Sequence, residues 1–164
     1  MVSHASCVFC AILGGALPAH VVLDDDVCLA FLDRTPLFHG HVLVVPRTHV
    51  VTLPELAPEV VGAFFQRVQV IAAALPAALG AQGTFVAMNN VVSQSVPHLH
   101  VHVVPRTKGD GLKGFFWPRK KYEGDEEMAR IAASLRGALS DAEPARVREP
   151  AGGIGVIPDD REVP

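Results

Sequence analysis

The chain lacks the features that mark several large functional classes. It has only three cysteines, an odd and small count that argues against a disulfide-stapled secreted fold. No Lys/Arg-rich run occurs and the formal net charge is -3, so a nucleic-acid-coating surface has no electrostatic basis. No uninterrupted apolar run reaches the roughly 18 residues of a bilayer span. The first residues, Met1-Val2-Ser3-His4-Ala5-Ser6, lack the charged-then-apolar pattern of a signal peptide. Neither a Walker-type phosphate loop nor a dinucleotide fingerprint is present. The expectation is a reduced, cytoplasmic protein with no nucleic-acid or membrane partner.

What remains is enough for a folded domain. The chain has 164 residues, 49% of them hydrophobic and 19% charged, which is about one domain with a real core. Cys7 to Leu13 is short, apolar and followed by Gly14-Gly15, which predicts one or two helical turns closed by glycine. His20 to Leu23 and Val27 to Leu32 flank three aspartates and read as a hairpin, and His41 to Pro46 reads as a third, buried strand. Pro54 and Pro58 open a helix whose stripe is Val60, Val61, Phe64, Phe65, Val68, Ile71 and Leu75, with Pro76 predicted to end or kink it. Thr84 to Asn90 and Pro97 to Val104 read as two further strands, and Gly124 to Leu139 as an amphipathic helix. The class is α+β with a mostly antiparallel sheet. A single domain is expected over residues 1–140, with a Pro/Gly/charge-rich flexible tail at 141–164.

One stretch carries the chemistry: His98-Leu99-His100-Val101-His102-Val103-Val104-Pro105. Strict alternation is the period of a half-buried strand, so the three imidazoles stand on one face while Leu99, Val101 and Val103 face the core. Neighbouring histidine Cα atoms are then roughly 6.6 Å apart, so two rings reach one small ligand. Imidazole is a nucleophile, proton carrier or metal ligand near neutral pH. The other readings stay open. Cys7-X-X-Cys10 suits one half of a zinc site, a redox pair or two buried thiols, and no second ligand pair lies nearby. Asp33 before a Pro-containing turn suits either capping or hydroxyl binding. His41 is either structural or an orienting partner for a triad ring. Phe9 and Ile12 suit core or pocket wall, and Cys28 a core position. Gly109 to Trp117 reads equally as a mobile lid, a contact loop or plain surface, as do Arg106, Lys108 and Lys113 as phosphate-binding charge or solvated residues.

The triad, together with Ala30-Phe31-Leu32-Asp33, Gly40-His41-Val42-Leu43-Val44-Val45-Pro46 and Gln94-Ser95-Val96, resembles the histidine-triad (HIT) family from about Cys7 to about Trp117. The zinc-containing, bacterial-type branch is the nearest in pattern. This resemblance implies a five-stranded antiparallel sheet with a long helix and a short N-terminal helix, extended by homodimerisation. It implies a purine nucleotide or nucleotide conjugate as ligand, attacked at its α-phosphate by His100 with His102 beside the same phosphate. Phosphoramidates and dinucleoside polyphosphates are among the substrate classes, with magnesium assisting polyphosphates. Asp33, Asn89, Gln94, Ser95 and His102 are the implied substrate contacts. Cys7, Cys10, His49 and His98 are the implied ligands of a structural zinc. The chain departs from the family at Asn89-Asn90-Val91-Val92-Ser93-Gln94, where the loop is shorter and Ser93 replaces glycine. A nucleotide-binding regulatory or adaptor protein with little or no turnover is the rival reading.

Overall fold

The computed structural model describes residues 6–112 and 121–142. They fall into two compact units that divide after Leu112, so the expected domain of residues 1–140 spans both. The first contains α1 (Val8–Leu13), β1 (Val21–Asp24), β2 (Cys28–Leu32), β3 (Val42–Pro46), α2 (Pro58–Leu79), β4 (Gly83–Ala87) and β5 (Val101–Arg106). The second contains α3 (Asp125–Ala142), whose first turn carries Asp125, Glu126 and Glu127 against the positive end of the helix dipole. The tail expected from 141 begins inside the last turn of α3, and residues 143–164 lie outside the described residues. So do residues 113–117 of the expected lid.

Five strands form one antiparallel sheet in the order β1-β2-β3-β5-β4. The sheet buries both faces at its centre. Ala30, Val42, Val44, Val101 and Val103 pack against Phe64, Val68, Ile71 and Leu75 of α2. Leu29, Phe31, Leu43 and Val45 point the other way, toward Cys7 and Phe9 of the N-terminal segment. Period-two alternation in β2 and β3 therefore sorts side chains between two cores, and β3 is buried at every position. His102 of β5, with His98 and His100 just before it, shares a face with the second core. That parity puts the triad beside α1 rather than beneath α2.

Three local features differ from expectation. α2 continues through Pro76 and ends at Gly80, whose left-handed backbone (φ 68°) lets its amide bond the Pro76 carbonyl. Proline removes only its own amide bond, and a last helical turn tolerates that loss when a glycine cap follows. The paired part of β5 begins at Val101, because the Leu99 amide donates to the Val50 carbonyl (2.7 Å) instead of the ladder. β4 ends at Ala87, leaving Asn89 and Asn90 in a loop. α2 is also apolar and long enough by composition to cross a bilayer. One face of it, Phe64, Val68, Ile71 and Leu75, packs on the sheet, and its Arg67 donates to Asp25 of the β1–β2 hairpin (2.8 Å). That guanidinium and the hairpin amides hold the Asp25 carboxyl down at about 2.

Gly40 sets the entry to β3. Its φ is +94°, and a Cβ there would sit 2.2 Å from Leu79 Cδ1. Leu79 is half exposed and can rotate away, but the backbone penalty stays. Gly40→Ala is therefore expected to lower stability by about 1–3 kcal/mol, measured by denaturant unfolding.

Candidate active site and metal centre

Two clusters share the face of the sheet beside α1. The first joins residues far apart in sequence. Cys7 is the N-cap of α1, and one helical turn brings Cys10 to the same side. Cys7 Sγ lies 3.5 Å from His98 Nδ1, Cys10 Sγ lies 3.2 Å from His49 Nδ1, and Cys10 Sγ lies 3.6 Å from His98 Nδ1. All four ligand atoms fall within 4.8 Å of one another. A zinc ion bound at about 2.3 Å by sulfur and about 2.0 Å by nitrogen, at tetrahedral angles, separates such atoms by roughly 3.5 Å. The cluster fits that geometry. His98 also contacts the Pro46 carbonyl through its other nitrogen, Nε2 (3.2 Å), which keeps the proton there and leaves Nδ1 free to ligate. Burial, reinforced by the neighbouring Cys7, pushes the Cys10 thiol up to about 11.

The second cluster surrounds a cavity of about 740 Å³. Its apolar wall includes Phe9, Ile12, Phe31 and Leu43, and its polar side includes Asp33, Ser95, His100 and His102. His100 is 3% exposed and its Nδ1 lies 2.7 Å from the His98 carbonyl. A carbonyl only accepts, so Nδ1 carries the proton and Nε2 of the neutral ring keeps its lone pair. Phe9 packs edge-on against this ring at 5.2 Å between centroids. Backbone and aromatic contacts together fix its plane.

His102 belongs to a chain of acceptors and donors. Its Nδ1 is 2.9 Å from His41 Nε2. His41 Nδ1 in turn faces the Leu37 amide at 3.3 Å and Asp33 Oδ2 at 3.4 Å. Two proton arrangements satisfy this chain. When the Leu37 amide donates to His41, the proton of His102 sits on Nε2. When His41 donates to Asp33, His102 Nε2 keeps its lone pair. Burial, then the neighbouring His100 and His41, pushes His102 down to about 4. Burial lowers His41 as well, against the pull of Asp33, so the His41 contact with Asp33 near neutral pH is a hydrogen-bonding one rather than an ion pair.

The sign of the pH effect follows. Between about 4 and the ordinary histidine value of 6.5, the unfolded chain binds more protons than the folded one, so stability falls as pH drops through that window and is untouched by His102 above it. Thermal melts at a series of pH values should show the wild type losing stability more steeply than His102→Asn between those limits.

Of the sequence-predicted catalytic and substrate residues, Asp33, Ser95, His100 and His102 line the cavity. Asn89 and Gln94 brace the loop instead. Asn89 donates to the Ser93 carbonyl (3.1 Å), while Gln94 accepts from the Val91 amide (2.9 Å) and donates to the Val51 carbonyl (2.7 Å). The physical reason is the short loop, in which Val91 and Ser93 adopt left-handed backbone (φ 70° and 60°) and need such props. Asp33 caps its turn, with Oδ1 accepting from the Thr35 amide (2.9 Å), and it also lines the cavity. Arg106 is held by Asp110, and Lys108 lies outside the cavity lining. His20 and Arg34 on the cavity rim were not singled out in the sequence, although Arg34 directly follows Asp33.

Comparison with known proteins agrees with this geometry. The HIT domain family matches residues 15–109. An adenylylsulfatase of Arabidopsis thaliana is 35% identical over 81% of this chain and 69% of its own. An adenosine 5'-monophosphoramidase of Schizosaccharomyces pombe is 32% identical over 76% of this chain and 92% of its own. A zinc-bound histidine-triad family protein from Mycobacterium smegmatis superposes with a TM-score of 0.64 at 38% identity, covering 86% of this chain and all of that one. A HIT family protein from Bacillus subtilis superposes with a TM-score of 0.73 at 32% identity over 80% of this chain and 96% of that one. With its sheet, its triad and these relatives, the chain belongs to the HIT domain family.

Proposed function

We propose that the protein is a nucleotide hydrolase or transferase that works through a nucleotidyl-His100 intermediate. The observation that carries this reading is the 2.7 Å contact of His100 Nδ1 with the His98 carbonyl, in a ring that lines the cavity. In the neutral ring it places the lone pair on Nε2, facing away from a partner nitrogen that is already hydrogen-bonded. The relatives that act on adenylylsulfate and on an adenosine phosphoramidate support the substrate class.

In the first step, the Nε2 lone pair forms a bond to the α-phosphorus while the bond to the leaving group breaks. The leaving group departs with the electron pair. The positive charge that develops on the ring is stabilised by the Nδ1–H bond to the His98 carbonyl, which grows stronger as the ring becomes cationic. His102, with its proton on Nε2, hydrogen-bonds the leaving atom or a phosphate oxygen and keeps that proton, while a leaving group that needs a proton takes it from water. In the second step, water or another acceptor attacks phosphorus, the P–N bond breaks, and His100 regains its lone pair. His102, after a shift of protons along the His41 pair to its other arrangement, accepts the proton of the attacking group on Nε2 and passes it to solvent. Asp33 meets the ribose hydroxyls and the apolar wall holds the base. A purine fits this wall by its large flat area, and Ser95 offers a donor to phosphate.

Cys7, Cys10, His49 and His98 would hold zinc, with the zinc-bound relative as support. The ion supplies a structural tie between the α1 segment and the residue whose carbonyl orients His100. Magnesium stays tied to polyphosphate substrates, and among the residues lining the cavity Asp33 is the carboxylate. A homodimer joined at a sheet edge and a cytoplasmic location belong to the same proposal. Comparing kcat/KM for adenosine phosphoramidate, adenylylsulfate and diadenosine polyphosphates tests it: turnover of at least one class supports the enzyme. Binding without turnover of any would leave the adaptor reading.

A further inference from the structure

The cavity has a charge that the chemistry above does not use. In the sheet-bearing unit, Arg47, Arg67 and Arg106 are each paired with an aspartate, Asp24, Asp25 and Asp110. Arg34, on the cavity rim, is exposed and makes no hydrogen bond or ion pair among the described residues. It follows Asp33 directly, at the turn where the ribose would meet the carboxylate. Asp33 does not neutralise it, because one carboxylate oxygen accepts from Thr35 and the other faces His41. His20 stands on the same rim, opposite the end of β2, where its carbonyl accepts from the Leu32 amide (3.0 Å).

We propose that Arg34, with His20, forms a subsite for a second phosphate carried on the ribose of the bound nucleotide. The inference rests on the nucleotide reading and deepens it. In that reading, the α-phosphate lies at His100 and the base against Phe9, Ile12 and Phe31, so the sugar's remaining substituents face Asp33 and its neighbours. An unphosphorylated ribose needs only the carboxylate there, as an acceptor for two hydroxyls. A ribose with one hydroxyl and one phosphate needs an acceptor and a cation side by side, which is what Asp33 and Arg34 provide. Guanidinium is suited to this task because its planar fork binds phosphate oxygens in pairs. Dinucleotide-binding folds make the same distinction, using an acidic residue for a free ribose hydroxyl and an arginine for a phosphorylated one.

Calorimetric titration of the zinc-loaded protein with AMP, adenosine 2',5'-bisphosphate and adenosine 3',5'-bisphosphate tests the subsite. At least one bisphosphate should bind roughly tenfold tighter than AMP, the scale of one charge-assisted phosphate contact, and the two isomers report which ribose oxygen carries the phosphate. In Arg34→Gln the ratio of affinities should fall to about one, and Arg34→Lys should keep part of it. Equal binding of all three nucleotides by the wild type overturns the subsite while leaving the nucleotide reading intact. A preference that survives in Arg34→Gln also overturns it. Failure of AMP itself to bind sinks the nucleotide reading, and the subsite with it.

Discussion

His100→Asn is expected to lower turnover by at least about 10⁴-fold while nucleotide binding survives. The size follows from the role: a nucleophile that forms the covalent intermediate has no substitute in the site, and such losses run to several orders of magnitude. His102 cannot take over. Its Nδ1 is bonded to His41 Nε2 at 2.9 Å, a partner that can donate as well as accept, so a lone pair on its Nε2 is held in only one of the two proton arrangements, unlike that of His100 beside a carbonyl. Asparagine keeps a polar side chain of similar reach, so the cavity wall changes little and AMP affinity should stay within a few-fold. Single-turnover kinetics alongside direct binding separate the two effects. Equal and near-zero turnover in wild type and variant, across all substrate classes, would instead favour the adaptor reading.

The second large effect concerns the Cys/His cluster. Cys10→Ser should abolish stoichiometric zinc, measured by metal analysis, and lower the melting temperature by on the order of 10 °C. Cys10 is the informative position because its sulfur faces both His49 and His98, whereas Cys7 also caps α1 and is 3% exposed. Turnover should fall too, since the tie holds the backbone whose carbonyl fixes the His100 ring. Acid should mimic the substitution. A metal-free Cys10 thiol is held near 11, so protons compete with the ion and zinc affinity must fall as pH drops. A protein that melts identically with and without zinc would show that the cluster carries no structural load.

Much of this site is legible in the sequence, for reasons that differ by residue. Alternation alone places His100 and His102 opposite Val101 and Val103, because a strand has only two faces. The long helix is readable from Phe64, Val68, Ile71 and Leu75, which recur at helical spacing and all prove buried. The convergence of Cys7, Cys10, His49 and His98 is not a local property. It depends on the register that sets β3 beside β5, and only the family pattern points to it beforehand. The path of residues 96–99 is also non-local, since the amide of Leu99 finds its partner at Val50. Asn89 and Gln94 show the limit most plainly. Their residue types suit phosphate oxygens, but in a shortened loop with two left-handed positions Asn89 donates to the Ser93 carbonyl and Gln94 accepts from the Val91 amide. No pattern of residue types marks a valine at φ 70° in advance. Arg34 escaped for the opposite reason: a lone arginine after Asp33 is unremarkable until its three counterparts are seen to be paired.

The most direct test of the central claim is capture of the intermediate. Zinc-loaded protein would be mixed with excess adenylylsulfate or adenosine phosphoramidate, quenched in alkali to preserve the P–N bond, digested and sequenced by mass spectrometry. The account predicts one adenylyl group on His100, formed and lost at rates that match turnover, and none in His100→Asn. Turnover with an adduct on His102, or with no adduct under any quench, would contradict it.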